Sequence, residues 1–434
     1  MKLLGAFLFA LSALYAADDD PVEVLIRVRD RVMEHATRIP NYTCVETIVR
    51  DWYDLAGAAP PRSCDALLGR RKRAGAGTLV TLATTDRLRL DVAVADSREI
   101  YSWAGAGRFE EKDIDELIPV GAIGSGPFAA TLLGIFDSRE PHFVFEGDTT
   151  LNSRRVLEYS FNVTQDESHS RVKAGSQWVI TGYTGRILVD PVTADLLRVT
   201  VRTEELPKPT NLCEVDSAMD YGMIKLDGAE YLLPSMTRER FINQDGAEAE
   251  NAVTFAACRE FRGESTVNFG ASVAVAGGSP LSGAPGLDLP AGLPVAVILT
   301  SAIDTNQAAA GDAISGILAA PVLDAARKIE LVKQGAAVEG RLMRVEKRYA
   351  HPNEVTIVLR WETLEVNGVK TPLQLLPDRL TASRMVRSSD QLQQRGMAIT
   401  LPRFDESRYA AFHFQGENVV VRDGLRSLWL TARP

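Results

Sequence analysis

A mainly β protein with a few helices, arranged as two units joined by a flexible tract, is the fold class these 434 residues predict. Three observations predict it. Long runs alternate apolar and polar residues with the period of two that leaves one strand face dry. A single early stretch has the three- and four-residue apolar spacing of an amphipathic helix. Between Gly270 and Gly286 runs "GASVAVAGGSPLSGAPG", 17 residues of which 14 are Gly, Ala, Ser or Pro, and that composition buries no core.

The chain opens on "MKLLGAFLFALSALYAA", with Lys2 before an apolar run and small residues before an acidic triplet. Residues 1–17 are read as a secretory signal peptide, too short in its apolar part to span a bilayer. The remainder divides into residues 21–270, a linker over 270–286 and residues 287–434, each flank large enough for its own core. The expected compartment is periplasmic or extracellular, with no transmembrane span in the mature chain.

The first unit begins with a helix. Asp20 caps it, Pro21 suits its first turn, Val22, Leu25, Val28, Val32 and Ala36 recur along it, and Pro40 stops it. The pattern then switches to strands. In "RLRLDVAV" Leu88, Leu90, Val92 and Val94 share a face, and "RVLEYSFNV" does the same with Leu157, Tyr159, Phe161 and Val163. "GRILVD" and "LLRVTV" are two more runs joined by "PVTA", in which Asp190 accepts hydrogen bonds from turn amides instead of acting as a catalytic acid. The sheet is interrupted by "DIDELI" and by "GSGPFAATLLGIF", where Pro127 opens a helix that places Phe128, Leu132, Ile135 and Phe136 on one side as a lid. The basic run Arg70, Arg71, Lys72 and Arg73 reads as a solvated loop.

Four cysteines, Cys44, Cys64, Cys213 and Cys258, form an even set in an exported chain, which predicts two disulfides and no metal site. Three connectivities are open. The sequence-local pairs, Cys44 with Cys64 and Cys213 with Cys258, close the shortest loops. The formal net charge of -9 is interspersed with both signs, which argues for solubility and against a nucleic-acid partner.

In the second unit "EVTIVLRWETLEVNG" puts Val355, Ile357, Leu359 and Trp361 on one face, with a tight turn at its end. The terminal "FHFQGENVVVRDGLRSLWLTARP" reads as a closing hairpin with Trp429 in the core. Catalytic motifs are not recognisable. His35, His142, His169, His351 and His413 share no spacing, and "GAIGSGPF" is neither a nucleophile elbow nor a phosphate loop, so its glycines read as a lid hinge. No cofactor is expected.

The order of helix, long antiparallel strands with short inserted helices, "GRILVDPVTADLLRVTV", "YLLPSMTRERF" and "FAACREFRGESTVNF" resembles the periplasmic lipoprotein-carrier (LolA-like) family over residues 21–270. That resemblance implies an open β-barrel, lidded by helices, that holds acyl chains, with Phe128, Leu132, Ile135 and Phe136 as ligand-binding residues. The second unit, through its "GD" and "GAAVEGR" segments, resembles the small β-barrel of the outer-membrane component of type IV secretion systems. Together these imply an exported cell-envelope binding protein whose partner is a lipid or lipoprotein acyl chain. A structural module that contacts other envelope proteins is the alternative, and a hydrolase with a site assembled only in space the lesser one.

Overall fold

The computed structural model describes residues 20–57, 61–74, 79–95, 98–106, 109, 114–118, 121–128, 130–137, 143–174, 177–203, 206–261, 289–378, 398–400 and 410–432. The proposed signal peptide and linker lie outside the described residues, as does His142.

Helix α1 (Pro21–Arg38) is capped as its sequence dictates, with the Asp20 carboxylate accepting from the Val22 N–H at 3.0 Å. Its buried stripe is Val24, Val28 and Val32, one turn apart, and Val22 faces solvent. The helical period was read correctly, but the phase was off at its first turn.

Ten long strands follow: β1 (Tyr42–Leu55), β2 (Val80–Ala95), β3 (Arg98–Trp103), β4 (Val144–Leu151), β5 (Arg154–Val163), β8 (Tyr183–Val189), β9 (Leu196–Thr203), β10 (Leu212–Leu226), β11 (Ala229–Asn243) and β12 (Glu248–Glu260). A small separate hairpin, β6 (Arg171–Ala174) and β7 (Gln177–Ile180), precedes β8. The pairings run β4-β5-β8-β9-β10-β11-β12-β1-β2-β3, all antiparallel. This is a large open antiparallel sheet whose ends, β3 and β4, are not paired with each other among the described residues. The chain between those ends carries α3 (Ile114–Leu117) and α4 (Ala130–Phe136).

The turn between β8 and β9 is made as expected. Asp190 accepts from the Val192 and Thr193 N–H groups at 2.8 and 2.7 Å, and Arg154 pairs with its other oxygen. Burial pushes its pKa up, but the two amides and the Arg154 charge outweigh burial and hold it below the usual carboxylate range.

Helix α2 (Cys64–Ala74) corrects the reading of the basic run as a loop. Leu67 is fully buried against Cys213 and Ile242. Arg71 is buried too, paired with Glu248. The charges concealed a helix because its buried stripe is so narrow.

Both disulfides form, and they are nested: Cys44 joins Cys258 and Cys64 joins Cys213. Neither is a sequence-local pair. β1 and β12 are neighbours in the sheet, so Cys44 and Cys258 meet although they lie 214 residues apart. Two such bonds fit an oxidising compartment.

Beyond residue 288 come β13 (Pro294–Leu299), β14 (Ile303–Asp304), β15 (Ala313–Leu318), β16 (Val322–Leu323), β17 (Glu330–Val332), β18 (Ala337–Arg348), β19 (Glu354–Val366), β20 (Val369–Pro372), β21 (Leu375–Pro377), β22 (Ala398–Thr400), β23 (Ala410–Gln415), β24 (Val420–Val421) and β25 (Arg426–Thr431). Pairings pass β25-β13-β15-β18-β19-β20 and return from β21 to β25. The terminal stretch is not one hairpin, because β23 lies on β19 whereas β25 lies between β13 and β21. Val355, Ile357, Leu359, Trp361 and Trp429 are all buried in one cluster, as their alternation predicts. Gly316 and Gly340 make room for Trp361: an added Cβ at either would stand 2.7 or 2.8 Å from its ring.

These strands are joined directly to the first sheet. β18 pairs with β2 at Glu346↔Asp86, Lys347↔Thr85 and Arg348↔Thr84. Just beyond, Ala310 exchanges backbone hydrogen bonds with Arg87 and Arg89 and buries its methyl in the first unit's core. Asp312 of the "GD" segment pairs with Arg89, and Arg341 donates to the Ala104 and Gly311 carbonyls. No described helix is long and apolar enough to cross a membrane.

Candidate functional site

Alternation along β5, β8 and β9 places Leu157, Tyr159, Phe161, Val163, Ile187, Val189 and Val199 on one sheet face, and α1 and α4 lie on that face. Leu132, Ile135 and Phe136 of α4 are brought together there with Val24, Val28 and Val32 of α1, all buried. Phe143, half-buried, stacks on Phe136 at 5.6 Å and leans on Phe161 at 5.7 Å. Phe128 goes elsewhere. It precedes α4 in a turn and packs edge-on against Phe255 at 4.7 Å and Tyr42 at 5.8 Å, within a second cluster. Three of the four lid residues therefore form one apolar plug over the sheet, and the fourth anchors the segment that leads into it.

That segment, "GAIGSGPF", is a strap of residues 121–128 laid across the same face nearer β1 and β12. The Glu239 carboxylate accepts from the Gly124 N–H at 3.1 Å and from the Asn251 amide at 3.2 Å, and the same amide donates to the Ala122 carbonyl at 3.1 Å. Glu99 accepts from the Gly126 and Phe128 N–H groups at 2.7 and 3.3 Å and from the Tyr101 hydroxyl at 2.6 Å. Tyr221 donates to the Pro127 carbonyl at 2.7 Å. The glycine at 124 is a requirement of this approach, since a Cβ there would overlap the Glu239 carboxylate. At the strap's start, Gly121 (φ +89°) sits over Arg50 and Trp52, and Arg50 is held to Asp86 by two hydrogen bonds of 2.8 and 2.6 Å.

A third carboxylate, Glu46, lies on the same face of β1, flanked by Leu90 and Phe255 of the neighbouring strands. Burial, then the nearby Glu99 and Glu239 carboxylates, push its pKa well above the usual range. Burial also raises Glu99 and Glu239; hydrogen bonds from Tyr101, Gly126 and Phe128 offset part of it for Glu99, and those from Asn251 and Gly124 part of it for Glu239.

The sign of the resulting pH dependence follows from linkage. An acid whose folded pKa lies above its unfolded value of about 4.3 is protonated more fully in the folded state. Stability therefore falls as pH rises from that value through the folded pKa. His35 and His413, both lowered chiefly by burial, act in the opposite direction below about pH 6.5. The diagnostic is a difference: in urea titrations between pH 5 and 8, Glu46→Gln is expected to lose less stability with rising pH than wild type. Identical slopes would show that Glu46 does not titrate in this window.

The opposite sheet face is polar. One register row crosses six strands as Ser160, Arg186, Thr200, Ala218, Arg238 and Ala252. It floors an open groove of about 1240 Å³. Much of the charge around it is internally matched: Arg186 pairs with Glu158, Arg198 with Asp220, and Arg202 and Arg240 share Asp216.

Among the described residues no cluster of three or more His, Cys, Asp or Glu is placed to hold a metal ion. Sequence reasoning grouped Leu132, Ile135 and Phe136, which do pack together, and missed the three glutamates near the strap, although each occupies a position in phase with apolar or aromatic neighbours on its strand.

No family profile and no curated protein matches the chain. Solved structures similar to it include a DUF1329 family protein from Desulfovibrio piger, at 10% identity and a TM-score of 0.28 over 57% of this chain and 95% of that one. A domain assigned to outer-membrane lipoprotein sorting from Vibrio parahaemolyticus gives 13% identity and a TM-score of 0.24 over 55% and 94%. A LolA superfamily protein from Nitrosomonas europaea gives 6% identity and a TM-score of 0.23 over 56% and 93%. Likeness at these scores transfers no function.

Proposed function

We propose that this chain is an exported cell-envelope binding protein that accommodates an acyl chain between its open sheet and the α4 lid. The observation that carries the reading is the construction of the lid: a seven-residue helix sets Leu132, Ile135 and Phe136 on the apolar part of the sheet face, in the stretch of chain between end strands β3 and β4, which leave a gap between them among the described residues. An acyl chain entering that gap replaces the apolar contacts of α4 in kind, so displacing the lid costs little net burial. The strap that leads into α4 is held by polar contacts on a separate part of the face and stays attached while α4 moves.

The test is native mass spectrometry, with lipid extraction, on the full chain exported to a bacterial periplasm and purified without detergent. Discrete co-purifying acyl species are expected. Leu132→Ala is expected to lose about 2–5 kcal/mol without ligand, the range for a truncated core leucine, and to regain part of it on addition of dodecanoate, which fills the void. A bare mass, together with no stabilisation of Leu132→Ala by dodecanoate, overturns the reading.

The polar groove supports a second reading, an interaction module of the envelope that contacts partner proteins through that polar face. On that reading Arg238→Glu removes a partner from in-cell crosslinks while acyl binding is unchanged.

A further inference from the structure

The acidic chamber beneath the strap is short of positive charge. Glu46 is 3% exposed, yet its Oε2 atom has no hydrogen-bond partner. The charges it feels most are two further buried carboxylates, Glu99 and Glu239. Asn251 spends both of its donated bonds on Glu239 and the Ala122 carbonyl, which leaves its own buried Oδ1 an acceptor with no partner. Arg50, the cation on the same face, is committed to Asp86. An unsatisfied buried acceptor is costly and rare in a native structure, and several at one place call for a missing donor.

Chemistry narrows what that donor is. The carboxylates are not spaced to share a metal ion. Water supplies donors and no charge. A primary ammonium supplies three donors and the compensating charge in one small group. Aromatic rings stand beside Glu46: Phe255 is its cross-strand neighbour, and Phe128 lies edge-on to Phe255 and to Tyr42; aromatic faces attract cations.

The chamber also adjoins the apolar face. Tyr221 packs in the cluster that contains Leu132 and Phe136, hydrogen-bonds to the strap at Pro127, and has its ionisation disfavoured by burial and then by Glu99. We propose that Glu46, in the field of the Glu99 and Glu239 carboxylates, receives the primary ammonium head of an amphiphile whose acyl chain lies under α4. The inference rests on the acyl-binding reading above and names the head group that reading leaves open.

Three probes of equal chain length separate the two: dodecylammonium, dodecanol and dodecanoate, titrated into the full chain below their micellar concentrations. Dodecylammonium is expected to bind at least about tenfold more tightly than dodecanol, the effect of one charge-assisted hydrogen bond to a buried partner. Dodecanoate is expected to bind more weakly than either. Glu46→Gln keeps the side-chain shape, removes the charge and is expected to bring the ammonium-to-alcohol ratio close to one while dodecanol affinity is unchanged. If Glu46→Gln does not fold, Glu239→Gln serves with the same readout. Equal affinity for ammonium and alcohol, or a ratio that survives both substitutions, overturns the head-group inference and leaves acyl binding standing. Failure of all three probes overturns the acyl reading and the inference with it.

Discussion

Arg50→Ala is expected to destabilise the protein by about 3–5 kcal/mol, the cost of leaving a buried charge without its partner. Arg50 and Asp86 are 3% and 6% exposed and face each other across β1 and β2 with two well-made bonds. Removing the guanidinium leaves the buried Asp86 carboxylate without its partner. It also removes the cation over the Trp52 ring, 4.9 Å from its centroid. Urea unfolding at pH 7 measures the loss. The double variant Arg50→Met with Asp86→Leu is the informative control, because an apolar pair of similar volume is expected to recover most of it. A single variant within about 1 kcal/mol of wild type would mean that water reaches the pair, and the burial argument would fail.

Replacing Cys44 and Cys258 together by serine is expected to cost about 5 kcal/mol in the chain-entropy account, since the bond closes a loop of 214 residues. The bond ties the first strand to the last of the consecutive run β8 to β12, where β12 meets β1, so its loss also frees the edge of β12 to fray. Cys64→Ser with Cys213→Ser closes a shorter loop of 149 residues, and its entropic loss is slightly smaller because the dependence on length is logarithmic. Thermal melting with and without reductant checks both: reductant is expected to lower the wild-type midpoint and to leave that of a variant lacking both bonds unchanged.

What the sequence made legible was local. Period-two runs became β2, β5 and β19 on the faces read for them, the two runs joined at Asp190 became β8 and β9, and Asp190 turned its corner, because neighbours two residues apart determine these features. What it hid was non-local. Cys44 pairs with Cys258 because of a strand order that loop length does not encode. The run of Arg70 to Arg73 looked solvated because the features that bury α2, Leu67 and the Cys64 bond, draw on residues more than 140 positions away.

Glu46 was the available signal for the acidic chamber. In "YTCVETI" it shares its phase with Tyr42, Cys44 and Ile48, and a carboxylate on an otherwise apolar face marks a place where burial needs a reason. Glu99, in phase with Tyr101 and Trp103, and Glu239, in phase with Phe241, repeat it. Their convergence on one strap could not be read, because it depends on β1, β3 and β11 lying over the same eight residues. The lid assignment placed Leu132, Ile135 and Phe136 together and separated Phe128 from them only in three dimensions.

The contact between β18 and β2 bears on how an exposed strand edge is covered. β2 gives one side to β1 and the other first to β3, along Leu90 to Ala95, then to Ala310 and β18, down to Thr84. The second unit thus covers the stretch of β2 that β3 is too short to reach. A fragment ending at residue 270 would present that stretch as a naked strand, with its N–H and C=O groups turned outward and ready to recruit another copy. In this architecture the C-terminal module acts as a guard against edge-to-edge self-association.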